Sequence, residues 1–280
     1  MASQLLRMGR LFHGNPSEEK DHYFSLPLGV GYLELLIKKN PNLIYIGYDP
    51  REDLAFHLAR YSILSRTDRD SIWVLPLKLC NLKHILNRPI EKREGKLWCP
   101  ISQAPMSTEF AISRFSIPFL EHKGWVLFID CDTLILDDIR DLFALANPQY
   151  AIMVVKHNYQ PTETTKMDGQ TQTSYSRKNW SSVMLWNLDH PSNKNLTLEA
   201  LNKWPGRDLH AFKWLKDEEI GELPQEWNFL AGINQPSSQE PKLVHYTLGT
   251  PNIAGYEKCE LSYLWWSEYN KLKQRWKFLP

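Results

Sequence analysis

The chain has 280 residues, 42% of them hydrophobic and 23% charged, with a formal net charge of +1 and a pI near 7.7. That length holds one large α/β domain or two small ones, and the composition is that of a globular protein. The near-zero charge excludes the basic field of a nucleic-acid binder and the acidity of a disordered chain. No window approaches the length of a membrane span, and Met1 to His13 lacks the apolar core of a secretory signal. Cys80, Cys99, Cys131 and Cys259 are scattered without a C-x-x-C pair. This argues against a zinc site or disulfide framework and suits a reducing, cytoplasmic compartment.

Residues 1–41 read as an N-terminal arm. Leu43 to Gly47 is a buried strand ending in the turn Tyr48-Asp49-Pro50-Arg51, and a helix follows with Leu54, Leu58 and Tyr61 near helical spacing. No G-x-G-x-x-G or G-x-x-x-x-G-K-[ST] follows the strand, so neither a dinucleotide fold nor a P-loop is indicated. Ser71 to Leu77 is a further strand whose Pro76 suggests a strand end or an edge position. Residues 87–106, rich in Pro and charge, read as a connection. Ser107 then reads as the N-cap of a helix carrying Phe110, Arg114, Phe115 and Phe119.

Trp125 to Ile129 runs apolar without alternation, as a strand buried on both faces does. It stops at Asp130-Cys131-Asp132. The carboxyl ends of strands in an open α/β sheet are where ligands bind. Two aspartates at such an end can both serve one hard divalent cation, directly or through water. Helix N-capping is the plainer use of aspartate; it accounts for Asp137 and Asp138 but not for Asp130 and Asp132, which precede another apolar run.

Further on, Asp138 to Ala146 is helical and Tyr150 to Val155 is a strand. Residues 157–178, with almost no aliphatic side chains, read as a long mobile loop of the kind that forms lids or acceptor contacts. Ser182 to Asn187 and Lys242 to Val244 are strands, and Leu209 to Leu215 is a helix. Residues 259–280 read as an aromatic helix packed on the domain or at an interface, with Leu261, Leu264, Trp265 and Leu272 on one face; Trp266 and the lysines also allow peripheral membrane contact.

His245 ends a strand before the small loop Thr247-Leu248-Gly249-Thr250, which can approach phosphates. Carboxylates plus one imidazole suit Mn²⁺ (or Mg²⁺) better than Ca²⁺. An ion at a diphosphate neutralises the leaving group, and Arg114 or Lys156 can share that task. These are the parts needed to break a sugar–phosphate bond.

The residues also carry a resemblance. The helix of Arg114 followed by Phe-Ile-Asp-Cys-Asp-Thr-Leu resembles the helix and D-x-D segment of glycosyltransferase family 8, the glycogenin and lipooligosaccharide galactosyltransferase type. Ile44 to Asp49 is similar to that family's first strand and nucleotide loop. Asn179 to Asn187, Leu223-Pro-Gln-Glu-Trp-Asn228 and Val244-His245-Tyr246-Thr-Leu-Gly249 resemble its later motifs in the same order.

The resemblance implies a GT-A fold over residues 42–258: a mixed, mostly parallel sheet flanked by helices. It implies metal-dependent, anomer-retaining transfer of a hexose from a nucleotide diphosphate sugar, most often a uridine one, to a glycan, lipid-linked or other acceptor. It places the ion on Asp130, Asp132 and His245, Tyr48 and Asp49 by the base and ribose, and Arg114 by the diphosphate or sugar. Cys131, Asn228 and Gly249 come to the donor site as members of these motifs. Asp208 falls where the family has an Asp-Gln pair at the sugar, and is the carboxylate offered for the far face of the ring.

There are departures. Leu209 replaces the glutamine and His210 follows it; Ser182 stands for a glycine; and no lysine follows Gly249. Trp180 and Trp227 are candidates for sugar stacking, with core packing as the plainer fate. Two alternatives stand beside the transferase. One is a sugar nucleotidyltransferase, whose Gly-rich, Arg-containing loop is only faintly matched by Gly47 to Arg51. The other is a non-catalytic nucleotide-sugar or carbohydrate-binding protein on the same fold.

Overall fold

The computed structural model describes residues 41–158, 165–166, 170–171, 177–235 and 239–276. Residues 1–40 of the expected arm and most of the expected loop at 157–178 lie outside these. From Asn42 onward the chain forms one unit.

Strand β1 (Asn42–Tyr48) leads through a 3₁₀ turn at Pro50–Glu52 into helix α1 (Asp53–Arg66), and β2 (Ile72–Lys78) follows. β1 and β2 pair in parallel, with Ile44 opposite Val74. β2 is the edge strand of the main sheet, where Pro76 lacks only a donor that an edge does not need. The expected connection at 87–106 is instead a three-stranded antiparallel sheet: β3 (Glu91–Arg93), β4 (Lys96–Cys99) and β5 (Ala104–Met106). Its outer strand is exposed at all three positions, so no hydrophobic alternation marks it.

The helical segment that follows is broken in two, α2 (Phe110–Ser113) and α3 (Ile117–Leu120), joined by a 3₁₀ turn. Ser107 does not cap it. The Glu109 N–H is taken by Asp49 Oδ2 at 2.9 Å, so the first turn of this segment is held from the end of β1. The two elements are in close contact: a Cβ on Gly47 would lie 2.6 Å from the Phe110 ring.

β6 (Trp125–Ile129) pairs in parallel with β1, Ile46 opposite Ile129. Then come β7 (Thr133–Ile135), α4 (Ile139–Phe143) capped by Asp138, and β8 (Ile152–Val154). A two-residue ladder joins β9 (Thr165–Lys166) to β10 (Gln170–Thr171). β11 (Val183–Asn187) runs antiparallel to both β6 and β8.

Helix α5 (Leu198–Lys203) precedes α6 (Gly206–His210), which ends where the sequence suggested a helix beginning, since Leu209 to Leu215 is mostly turn. β12 (Ile220–Glu222) completes the six-stranded sheet in the order β12-β8-β11-β6-β1-β2. A second sheet packs β13 (Phe229–Leu230), β14 (Leu243–His245) and β7 side by side.

The last helix, α7 (Ser262–Trp276), buries Trp265 and Leu272 in an apolar cluster with Leu58 of α1, Leu134 of β7 and Val244 of β14. No helix among the described residues is long and apolar enough to cross a membrane.

Candidate active site

β1 continues through α1 to β2 on one side, while β6 lies on its other side. The carboxyl ends of β1 and β6 therefore flank the point where strand order reverses, the usual ligand crevice of an open α/β sheet. Here a cavity of about 260 Å³ opens, lined among others by Glu52, Arg114, Asp130, Asp132, His210 and His245.

Asp130 follows the last residue of β6, and its backbone N–H is held by the Ser182 carbonyl at 2.9 Å. β14 pairs antiparallel with β7 so that His245 stands opposite Thr133, one residue from Asp132. His245 Nε2 is 3.2 Å from Asp132 Oδ1. One ligand atom from each of Asp130, Asp132 and His245 lies within 4.8 Å of the others.

Behind the imidazole, His245 Nδ1–H donates to Asn228 Oδ1 at 3.2 Å, which leaves Nε2 turned to the carboxylates. Asn228 is fully buried and donates in turn to Ser182 Oγ at 2.9 Å. It lies behind the Asp130, Asp132 and His245 cluster rather than on the cavity wall.

The electrostatics fit a divalent cation. Arg114 Nη1 lies 2.8 Å from Asp130 Oδ1, and Arg51 is paired with Asp49 at 2.6 Å. Glu52, Asp130 and Asp132 thus bring three carboxyl groups to one cavity wall. Burial, opposed by Arg114 and helped by the Asp132 charge, pushes Asp130 up to about 6. Burial and then Asp132 push Glu52 up to about 7. Asp130 Oδ1 is buried, with the Arg114 guanidinium as its ion-pair partner. Two carboxylates and one imidazole, with one ligand atom of each within 4.8 Å of the others, are a fitting donor set for Mn²⁺ or Mg²⁺.

The other residues singled out by the sequence are distributed as follows. Arg114 is buried and fixed: it donates to the Ser181 and Phe110 carbonyls and lies between the rings of Phe110 and Phe128. Cys131 is buried and donates its S–H to Glu52 Oε2 at 2.9 Å; burial first, then Glu52, raises its pKa, so the thiol stays protonated. His210 lines the cavity, its Nδ1 2.7 Å from Ser181 Oγ. Gly249 ends a turn, its N–H held by the Tyr246 carbonyl, while Thr247 and Leu248 of the same loop reach the wall.

Five further candidates are not among the lining residues. Asp49, 1% exposed, spends its carboxylate on Arg51 and on the Glu109 N–H. Tyr48 donates to Asp53 Oδ1 at 2.9 Å. Asp208 is paired with Lys213 at 2.8 Å and lies 3.7 Å from Arg207. Trp180 donates its indole N–H to the His157 carbonyl, and its ring is within 6 Å of both Lys156 and Arg177. Trp227 is 2% exposed and belongs to the core.

Glu52, Thr108 and Ser181 line the cavity without having stood out in the sequence. Glu52 had one available signal, its place just after the turn that ends a buried strand. Ser181 sits in a 3₁₀ turn before β11 and becomes legible only once β11 is placed beside β6.

Two solved structures set this arrangement in context. A bifunctional glycosyltransferase, WbbM, superposes with a TM-score of 0.56 at 15% identity over 81% of this chain; the chain spans about half of that protein, 49%. The galactosyltransferase LgtC, in complex with donor and acceptor sugar analogs, superposes with a TM-score of 0.51 at 11% identity over 82% of this chain and 95% of its own. The fold is thus the GT-A fold of nucleotide-sugar glycosyltransferases.

Residues 51–250 match the model of glycosyl transferase family 8, and the chain belongs to that family. Protein CDI of Arabidopsis thaliana is 47% identical over 243 residues, which cover 84% of this chain and 89% of that protein.

Proposed function

We propose that the protein transfers a hexose from a nucleotide diphosphate sugar, a uridine one in first place, to a glycan, lipid-linked or other acceptor with retention at the anomeric carbon. The observation that carries this is the convergence of Asp130, Asp132 and His245 at the β1–β6 crevice of a family 8 chain. These three residues would hold Mn²⁺ or Mg²⁺. When bound, such an ion supplies Lewis-acid neutralisation of the departing diphosphate.

The chain's own residues prepare the rest. Arg114 adds a fixed positive charge beside the same carboxylates, held by two backbone carbonyls so that it need not reorganise. Asn228 sets the tautomer of His245. Retention follows the family. The cavity wall at the His210 end carries no carboxylate among the described residues, which favours departure and attack on one face of the ring over a protein nucleophile. The four free cysteines agree with a reducing, cytoplasmic setting.

The test is thermal unfolding against a panel of nucleotides and nucleotide sugars, with and without Mn²⁺, on the wild type and Asp132→Asn. A ligand at 100 times its Kd stabilises by about 2.7 kcal/mol. Stabilisation by uridine diphosphate ligands only with metal, and its loss in the variant, supports the reading. No stabilisation by any nucleotide would move the non-catalytic alternative to first place, while formation of a nucleotide sugar with pyrophosphate release would move the nucleotidyltransferase there.

A further inference from the structure

Strand order places a second cluster beside the carboxylates. β6 has β1 on one side and β11 on the other, and β8 lies beyond β11. β11 runs antiparallel to both β6 and β8, with Val183 opposite Ile129 and Met184 opposite Val154. The entry to β11 therefore lies between the exits of β6 and β8, on the edge of the sheet where ligands bind. This register brings Lys156 and His157, just past β8, beside Asn179 to Ser182, just before β11. Asn179, Ser181 and Ser182 line the cavity, and the Ser182 carbonyl holds the Asp130 N–H at 2.9 Å.

Two cations meet at one half-buried indole here. The Lys156 ammonium lies 5.9 Å from the Trp180 ring centroid and the Arg177 guanidinium 5.4 Å. Trp180 donates its N–H to the His157 carbonyl at 2.9 Å, which fixes the ring to the exit of β8. Arg177 donates to the Ala211 carbonyl and pairs with Asp217, whose side chain is 87% exposed. A pair so open to water is weak, and leaves Arg177 able to take a better-placed anion. Lys156 has no carboxylate partner among the described residues. His157 adds an unsatisfied polar atom: its Nε2 is buried without a hydrogen-bond partner among the described residues. Burial first, then the charge of the cavity-lining His245, holds the His157 pKa down at about 3, so the imidazole is neutral.

We infer that this cluster is the acceptor subsite, and that the acceptor is a sugar bearing an anionic group, a carboxylate or a phosphate, held by Lys156 and Arg177 beside Trp180; the inference rests on the transferase reading above. The donor belongs at Asp130 and Asp132, in the β1–β6 crevice. The acceptor must meet its sugar from beside that crevice, and β11 and β8 supply the adjoining edge. Indole covers the apolar face of a pyranose, and fixed cations take an anion in charge-assisted hydrogen bonds. His157 Nε2 offers a further partner to a ligand hydroxyl.

The experiment measures diphosphate release from UDP-glucose and UDP-galactose with Mn²⁺, first to water and then to paired acceptors. Methyl glucoside is set against glucuronic acid and glucose 6-phosphate, and methyl galactoside against galacturonic acid. The acidic member should have a KM about 10-fold lower or more, the worth of one charge-assisted hydrogen bond. Glucuronic acid against glucose 6-phosphate tells carboxylate from phosphate, and added salt should erode the preference. Lys156→Gln and Arg177→Gln should each raise KM for the acidic member by about 10-fold, with the neutral member within about 3-fold of the wild type. Lys156→Arg, which keeps the charge, should keep the preference.

Equal KM values for acidic and neutral members in the wild type would overturn the inference. So would a Lys156→Gln enzyme that loses turnover of both alike, as loss of a structural contact or of a charge at the leaving diphosphate would produce. Release to water without the acidic preference overturns this inference alone. A wild type that releases diphosphate from neither donor, to water or to any acceptor, brings down the transferase reading and the inference with it.

Discussion

His245 and Asn228 are joined by a 3.2 Å hydrogen bond from Nδ1 to Oδ1, and both side chains are buried. The imidazole is thereby presented to Asp132 through Nε2. Partners of this kind typically account for 10–100-fold in metal affinity. Asn228→Ala should weaken Mn²⁺ binding by about that factor, measured by calorimetric titration, with little change in affinity for metal-free nucleotide.

Asp49 clamps two segments: it pairs with Arg51 and takes the Glu109 N–H, although it is 1% exposed. Burial raises its pKa, but the hydrogen bonds from Arg51 and Glu109 more than offset this and hold the carboxyl below its ordinary value. Asp49→Ala should cost about 2 kcal/mol in urea unfolding, because it orphans the Glu109 N–H and frees Arg51. Asp49→Asn, still an acceptor, should cost less.

Gly47 leaves room for Phe110, whose ring would sit 2.6 Å from an added Cβ. Gly47→Ala should destabilise by about 1–3 kcal/mol, as overpacking does. Gly47→Ala combined with Phe110→Leu should be less unstable than the sum of the two single variants, a coupling that a double-mutant cycle reads directly.

Glu268 on α7 receives Arg66 of α1 at 2.6 Å and Lys271 at 2.7 Å. Burial works against its ionisation, yet these hydrogen bonds hold its pKa below the ordinary value. A carboxyl depressed in the folded state contributes stability fully above its unfolded pKa, about 4.3, and loses it as pH falls through the lower folded value. Glu268→Gln should therefore cost about 1–2 kcal/mol at pH 7. The gap to the wild type should shrink steadily below about pH 4, as followed by urea unfolding at several pH values.

The legible parts of this chain are those whose physics is local. Trp125 to Ile129 shows itself because burial on both faces forbids alternation, and Pro76 because a missing donor marks an edge. What stayed hidden depends on distant partners. β3 carries only exposed side chains and is a strand because β4 lies beside it. The helical segment at Phe110 takes its cap from Asp49, 60 positions earlier, so Ser107 was a false signal.

The site divides the same way. The triad follows from strand ends and motif order. The commitment of Asp208 to Lys213, and of Asp49 to Arg51, could not be read from spacing. The broken pattern Asp208-Leu209-His210 was nonetheless visible, and it marks the end of the cavity where this chain departs from the family it resembles.

The most direct measurement is release of nucleoside diphosphate from a panel of nucleotide sugars, with water or added glycan as acceptor, by the wild type and Asp132→Asn. A metal-dependent nucleotide-sugar transferase releases diphosphate from at least one uridine donor with Mn²⁺, none after chelation, and at least about 100-fold less in the variant, a loss of roughly 2.7 kcal/mol in transition-state stabilisation. Release that persists without metal or in Asp132→Asn, or no release from any donor, would contradict the account.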